Sequence, residues 1–581
     1  MNRNHPYLSR TQIIGFVLLA TCLAVPGSAQ PVGSETPAPI GLSAGPQQPL
    51  AAVAEIALPA LDSEQLKADD EVRRSAGLPL RYAVLQPAAM DATKGGSWEA
   101  LPDGAWLWRL QVRAEGAKGI GPVFDRFRLA EGALLHLYAA DGSHRIRPFS
   151  KADNKPHGEL WAPSVRSDHM VIELFAPSLA ARDASEVRLR QVGQAYRDIW
   201  NPEGPDKESG SCNFDVVCPE GDGWGNQIRS VGVISIGNTF ICTGFLINNT
   251  AEDDRPLFMS ANHCGISPSN DQSLRVYWNY ENSTCRTGPG AGGPGDGTLD
   301  QFQIGSTFLA SDASSDFVLV ELDDSPAPFD TFFLGWDGRD ITPARTVGVH
   351  HPNTEEKRIS FEDDPSERSS YLGASSPGDG SHLRVNDWDL GTTERGSSGS
   401  PLIDHSTGRA VGQLHGGFAA CGNDFADYYG RIHLALQNGA RPFLDPIDSG
   451  AQFLDGREAG SGAVCTNDAT TLCLNRGRFR VTVDWRDFDD NTGVGRTVDA
   501  RTDDSGLFWF FGERNWEVLV KVLDACAEPF NRYWVFFAAT TNVGYTLTVT
   551  DTETDQTKVY ENPVGNLAQA VTDTDAFATC P

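Results

Sequence analysis

The chain has 581 residues, too many for one ordinary hydrophobic core, so two to four domains are expected. With 40% apolar residues, 59 Gly and 35 Pro, the composition is that of a loop-rich globular protein and not of a disordered or fibrous one. A formal charge of -30 argues against nucleic acid as a partner, because phosphate binding draws on clustered Lys and Arg that release counterions; it suits a cationic substrate, or simply solubility.

Arg3 and Arg10, an apolar run from Ile13 to Val25 and the small residues Gly27, Ser28 and Ala29 form the three-part pattern of a cleavable signal, with cleavage after Ala29. A lipid-modified Cys22 is the alternative, and Thr21 before it is larger than that processing favours. No later stretch of about 20 apolar residues offers a membrane span, so a secreted, extracellular and monomeric protein is expected. Residues 30 to about 70 are rich in Pro, Ala, Gly and Ser and read as a flexible leader. From about 75 to 198 the period changes to two: Trp106, Trp108, Leu110 and Val112 alternate with Leu107, Arg109, Gln111 and Arg113, placing the first set on one buried face. This segment has no cysteine, and its position suggests a β-rich pro-domain within a propeptide 30–207.

A polar linker, 201–210, leads to the next region, 208–455, where short apolar segments are broken by Gly, Pro and Asn. That is an all-β barrel or sandwich pattern, with a helical period only from Tyr429 to Gln437. After a Gly-rich junction at 456–463, residues 464–581 alternate again, with Phe479, Val481, Val483 and Trp485, then Tyr545, Leu547 and Val549, predicting a separate C-terminal β-domain. Beyond Cys22 the cysteines fall into two even groups, Cys212, Cys218, Cys242, Cys264, Cys285 and Cys421, then Cys465, Cys473, Cys526 and Cys580. Even, domain-confined counts after a signal read as disulfides. Neither C-x-x-C nor H-E-x-x-H occurs, and the adjacent His350 and His351 would point to opposite faces of a strand, so no metal and no cofactor are expected.

A serine hydroxyl attacks a carbonyl at neutral pH only if a histidine takes its proton and a carboxylate orients that histidine. Three stretches supply these groups. An apolar run from Leu257 ends at His263 beside Cys264; Asp316 stands at the mouth of the apolar run Phe317 to Leu322; and Gly396 to Pro401, GSSGSP, has glycines that permit a tight turn around Ser398. Each alone has an ordinary structural explanation, as a disulfide-side His, a strand-entry Asp and a Gly/Ser loop. Together, their order His263, Asp316, Ser398 is that of chymotrypsin-type barrels, and Ser400 breaks the G-x-S-x-G elbow of α/β-hydrolases. The backbone N–H groups of Gly396 and Ser398 would form the oxyanion hole.

The stretches Ser211 to Gly223 (SCNFDVVCPEGDG), Cys242 to Thr250 (CTGFLINNT), Tyr277 to Arg286 (YWNYENSTCR), His350 to Asn353 with Lys357 to Ser360, and Gly412 to Gly417 (GQLHGG) are long and unusual. Through them residues 211 to about 455 closely resemble the bacterial lysyl endopeptidases, chymotrypsin-fold serine proteases that cut after lysine. The resemblance implies the triad His263, Asp316 and Ser398, and disulfides joining Cys212 to Cys421, Cys218 to Cys285, and Cys242 to Cys264. It places the pocket aspartate on Asp427, with Asp424 as a nearby competitor, and His415 in the substrate cleft. The family's tryptophan beside that histidine has no counterpart in Tyr371 to Ser375. Lys207 is the only base between Pro205 and Cys212 and looks like an autoprocessing site that frees a chain starting at Glu208. The stretches Asp503 to Phe511 and Ala576 to Cys580 resemble an uncharacterised C-terminal domain of secreted bacterial proteins, with a cell-envelope or carbohydrate ligand among its expected partners.

The fold expected is therefore all-β: a chymotrypsin-type double β-barrel flanked by a β-rich N-terminal pro-domain and a C-terminal disulfide-stapled, β-sandwich-like domain. The activity expected is endopeptidase cleavage of protein or peptide substrates after a basic residue, preferentially Lys, with the chain's own pro-domain as a further partner. The alternatives are an Arg-specific or dual enzyme and, in a different class, an inactive binding protein acting through its C-terminal domain.

Overall fold

The computed structural model describes residues 38–42, 48–75, 77–199, 209–286 and 295–459, and from 465 to 580 all but 466, 476, 499, 527–529, 553 and 555. Ala29 and Lys207 lie outside these residues. β-Branched and aromatic residues alternating with polar ones favour strands, and strands are the majority of the regular elements; the longest helix among the described residues is Ser63–Ser75.

The N-terminal part contains two sheets. In one, Trp106–Arg113 lies between Glu55–Ala57 and His169–Ala176; in the other, Glu186–Ala195 lies between Ala83–Asp91 and Gly119–Arg128. Trp108, Leu110 and Val112 of the first share one apolar cluster with Phe124, Leu189 and Val192 of the second. The strand Trp106–Arg113 departs from the expectation of one buried face, because Leu107, Arg109 and Gln111 are buried as well. Residues 48–57 cover Arg109 and Gln111. Gln111 donates from Nε2 to the carbonyls of Leu50 and Val53 at 3.0 and 2.9 Å, Arg109 donates to that of Gln48 at 2.7 Å, and Glu55–Ala57 pairs in parallel with Gln111 to Arg113. Residues 48–57 of the stretch read as a flexible leader are thus held in place by buried donors on the strand beneath them.

Two further sheets, of eight and ten strands and antiparallel but for the pairing of Trp336 with Ala410, make the double β-barrel. Phe240–Leu246, Leu257–Ala261 and Phe317–Leu322 belong to the first; Thr346–His350, Pro401–Asp404, Ala410–Gly417 and Asp427–Arg431 belong to the second. Tyr429, expected to begin a helix, lies instead within the strand Asp427–Arg431, paired with Leu414, and the helix starts at Ile432. The C-terminal part is a pair of five-stranded sheets with Phe479, Val481, Val483, Leu547 and Val549 of one packed on Val520, Val535 and Phe577 of the other, the faces that the alternation picked out. Five disulfides staple the chain: Cys212–Cys421, Cys218–Cys285 and Cys242–Cys264 as the resemblance implies, then Cys465–Cys473 and Cys526–Cys580. In small secreted domains each such bridge is worth about 2–5 kcal/mol.

The N-terminal sheets and the first barrel share a core. Val233, Ile241, Tyr277 and Phe302 of the barrel join the cluster built by the N-terminal strands, and Leu80–Arg81 adds a short strand beside Phe240 and Ile241. Arg275 of the barrel is fully buried and donates to the backbone carbonyls of Ala162 and Trp161 at 2.5 and 3.3 Å, and to the Tyr82 hydroxyl at 3.1 Å. Separation would break these hydrogen bonds and return the shared apolar cluster to water, at roughly 25 cal/mol per Å² of apolar surface. A chain cut once between residues 200 and 208 should therefore elute as one complex in native buffer, and the N-terminal piece should leave only in denaturant. Elution of that piece alone in buffer would contradict the shared core.

Candidate active site

The strand Leu257–Ala261 is buried along its length and pairs antiparallel with Phe317–Leu322, Ala261 opposite Phe317. Antiparallel register puts the exit of one strand beside the entry of the other. His263, two residues past the exit, and Asp316, one before the entry, are accordingly neighbours. The Asp316 carboxylate is 2% exposed; its Oδ2 lies 2.8 Å from His263 Nδ1 and its Oδ1 accepts the His263 backbone N–H at 2.9 Å. The Asp316 carbonyl accepts the N–H of Asn262 at 2.8 Å, and its backbone sits at φ +54, a left-handed geometry that aspartate tolerates better than most residues. The bridge from Cys264 to Cys242 anchors the turn that carries the imidazole.

Ser398 lies in the tight turn between residue 394 and the strand Pro401–Asp404, with Gly396 at φ +92 and Gly399 at φ +86. A Cβ on Gly399 would meet the Thr243 carbonyl at 2.3 Å, so only glycine permits this approach to the first barrel. Thr243 stitches the barrels together here. Its N–H donates to the Ser398 carbonyl and its hydroxyl to the Gly396 carbonyl, both at 2.8 Å, and Cys264 Sγ lies 4.0 Å from that Ser398 oxygen. Within the turn the N–H groups of Ser397, Gly399 and Ser400 donate to the carbonyls of Glu394, Leu414 and Ser397, whereas those of Gly396 and Ser398 meet no protein acceptor among the described residues. The Ser398 hydroxyl is half-buried and likewise makes no hydrogen bond among the described residues, so the link to His263 is not closed in this resting geometry. Catalytic hydrogen bonds commonly tighten only when substrate is bound.

His415 stacks on His263, ring centroids 5.3 Å apart and planes 20° from parallel, and Tyr371 stacks on the other face of His415 at 3.6 Å and 3°. The segment Tyr371 to Ser375 lacks a tryptophan, yet Tyr371 supplies an aromatic ring at this place. His415 Nδ1 lies 2.9 Å from His382 Nε2, and its Nε2 is 3.7 Å from Asp316 Oδ2. Burial pushes both His415 and His382 down to about 4, so both are neutral at neutral pH and each has one donor and one acceptor to place. His263, Asp316 and His415 also form a three-ligand grouping of the kind that could hold a metal ion, in which His263 Nδ1 and Asp316 Oδ2 are already hydrogen-bonded to each other.

Asp427 is 1% exposed and accepts, at Oδ2, the Trp388 indole N–H at 2.8 Å and the Thr393 hydroxyl at 2.6 Å; Asp424 is exposed. Burial raises the Asp427 carboxyl, and these two donors work against that rise. On the other side of the turn, His350 is fully buried, with Nδ1 2.9 Å from the Ser397 hydroxyl and Nε2 3.0 Å from that of Ser360. Glu394 accepts the Gly210 N–H at 3.0 Å and the side-chain amides of Asn353 and Asn213 at 3.1 and 3.3 Å. Thr243, Trp388, Thr393, His382 and Glu394 escape a reading of the sequence because each meets its partner across a long stretch of chain. An acidic residue just before GSSGS was the one local signal that could have flagged Glu394.

The lysyl endopeptidase N-terminal domain model matches residues 57–195 and the lysyl endopeptidase C-terminal domain model matches residues 207–430. A lysyl endopeptidase of Pseudomonas aeruginosa is 27% identical over 363 residues, 58% of this chain and 76% of that protein. Among solved structures, an inactive serine-to-alanine form of Rv3671c from M. tuberculosis H37Rv is 16% identical and Deg5 is 14% identical; both cover 36% of this chain, and 85% and 88% of their own, with TM-scores of 0.23.

Burial, with Glu355 nearby, pushes Glu394 up to about 7 from 4.5. Between those values the folded chain holds a proton that the unfolded chain has lost, so this carboxyl adds stability below about pH 4.5 that disappears as pH rises through about 7. The full effect is about 3 kcal/mol. Wild type should lose melting temperature relative to Glu394→Gln as pH rises across that window, and parallel curves would contradict the assignment.

Proposed function

Taking as premise that the chain belongs to the lysyl endopeptidase family and is a serine endopeptidase, we propose that it cuts peptide bonds after a basic residue, lysine before arginine, using Ser398, His263 and Asp316. Ser398 Oγ attacks the scissile carbonyl while His263 Nε2 takes its proton, and Asp316 holds the other ring nitrogen as N–H. The tetrahedral oxyanion is received by the N–H groups of Gly396 and Ser398; loss of one such donor costs roughly a hundredfold to a thousandfold in turnover. His263 then returns the proton to the leaving amine, and water repeats the sequence on the acyl-enzyme.

The observation that carries the reading is the 2.8 Å contact of His263 with a buried Asp316, beside a turn with two uncommitted amides. Asp427 supports the choice of a basic residue. At an effective dielectric of 20 and about 4 Å, a cation paired with this carboxylate gains about 4 kcal/mol, enough for roughly a thousandfold preference. His415 and Tyr371 would line the cleft next to the general base. Five disulfides suit an oxidising compartment, in keeping with export directed by a signal ending at Ala29 and with a precursor that cuts itself after Lys207.

Ser398→Ala should lose about six orders of magnitude in turnover and stay uncut at Lys207 in a host without other proteases. Asp427→Ser should lose cleavage after Lys yet still react at Ser398 with a small phosphonylating reagent. Turnover by the first variant overturns the nucleophile, and lysine cleavage by the second overturns the pocket.

A further inference from the structure

Asp427 meets a substrate with half of its carboxylate already used. Oδ2 accepts from both the Trp388 indole and the Thr393 hydroxyl, which fills the two lone pairs of one carboxylate oxygen. Neither donor is free to leave. Thr393 is 3% exposed, and the Trp388 ring lies over Gly348, where a Cβ would meet the indole at 3.2 Å, and edge-on to Tyr429. The other oxygen faces Gly417, where a Cβ would stand 2.4 Å from Oδ1 and obstruct it. Absence of a side chain at 417 therefore keeps open the one oxygen that is not doubly bonded to the protein, and the Ala419 amide helps to keep the carboxylate ionised.

The two basic side chains ask different things of such a group. An ammonium is a point charge with rotatable donors and can pair with a carboxylate through one oxygen, whereas a guanidinium binds a carboxylate best as a fork, two parallel N–H groups on two oxygens. We propose that Trp388 and Thr393 are specificity-determining residues: by occupying Oδ2 of Asp427 they leave Oδ1 as the single acceptor, which accommodates lysine and denies arginine its second hydrogen bond. This rests on the reading of Asp427 as the partner of the substrate's cation. It locates the choice between the two bases in who holds the far oxygen, and not in the aspartate itself.

The test is the ratio of kcat/KM for two peptide amides that differ only in Arg against Lys at the cleaved residue, each rate normalised to titrated active sites. Thr393→Val removes the hydroxyl at nearly constant shape and should raise the Arg-to-Lys ratio about tenfold, the order of magnitude of one hydrogen bond to a charged group, whatever happens to the overall rate. Trp388→Phe should raise it too, while Thr393→Ser, which keeps the hydroxyl, should stay within about twofold of wild type. An unchanged or lower ratio in the Val and Phe variants overturns the proposal. Wild type that shows no preference for basic residues, or Asp427→Ser that still cuts after Lys, would instead overturn the reading on which it rests.

Discussion

The pairing of Leu257–Ala261 with Phe317–Leu322 is the constraint from which the rest of the site follows. Because side chains alternate along a strand, a slip of one residue would turn Asp316 away from His263 and force Phe258, Val318 and Val320 out of their own apolar cluster into the one shaped for Leu257, Met259, Phe317 and Leu319. Burial of both sets holds the register, and the register in turn holds the carboxylate against the imidazole. The second barrel is then fastened to the same place through Thr243, whose amide and hydroxyl reach two carbonyls of the turn around Ser398. Folding energy and site geometry are in this sense supplied by the same contacts.

Buried and half-buried carboxylates recur around this turn, and the three that flank it are paired. Asp316 has the His263 ring and backbone, Asp427 has Trp388 and Thr393, and Glu394 has Gly210, Asn213 and Asn353. An ionised carboxylate without such partners would protonate or destabilise the fold. The difference between these acids lies in what remains available. Asp316 is committed at both oxygens, whereas the Trp388 and Thr393 donors of Asp427 both fall on Oδ2.

Much of this was legible in the sequence because it is local. The alternation at Phe479 to Val483 and at Tyr545 to Val549 marks the buried faces of the C-terminal strands, and an apolar run ending at His263 with another beginning after Asp316 marks two strand ends. Where local pattern misled, a distant partner intervened. Arg109 and Gln111 are buried because residues 48–57 lie across them, and Tyr429 is a strand residue because Leu414 pairs with it. The aromatic neighbour of His415 carries no local signal, since Tyr371 reaches it only by stacking at 3.6 Å across a long stretch of chain. Asp427 and Asp424, equivalent as letters, are separated by burial alone.

The most direct measurement is the set of bonds cut when the purified enzyme digests an unfolded protein of known sequence, read by mass spectrometry of every peptide released. The account predicts new carboxyl termini at lysine, fewer at arginine and none at other residues. Cuts spread over uncharged or acidic residues would contradict it.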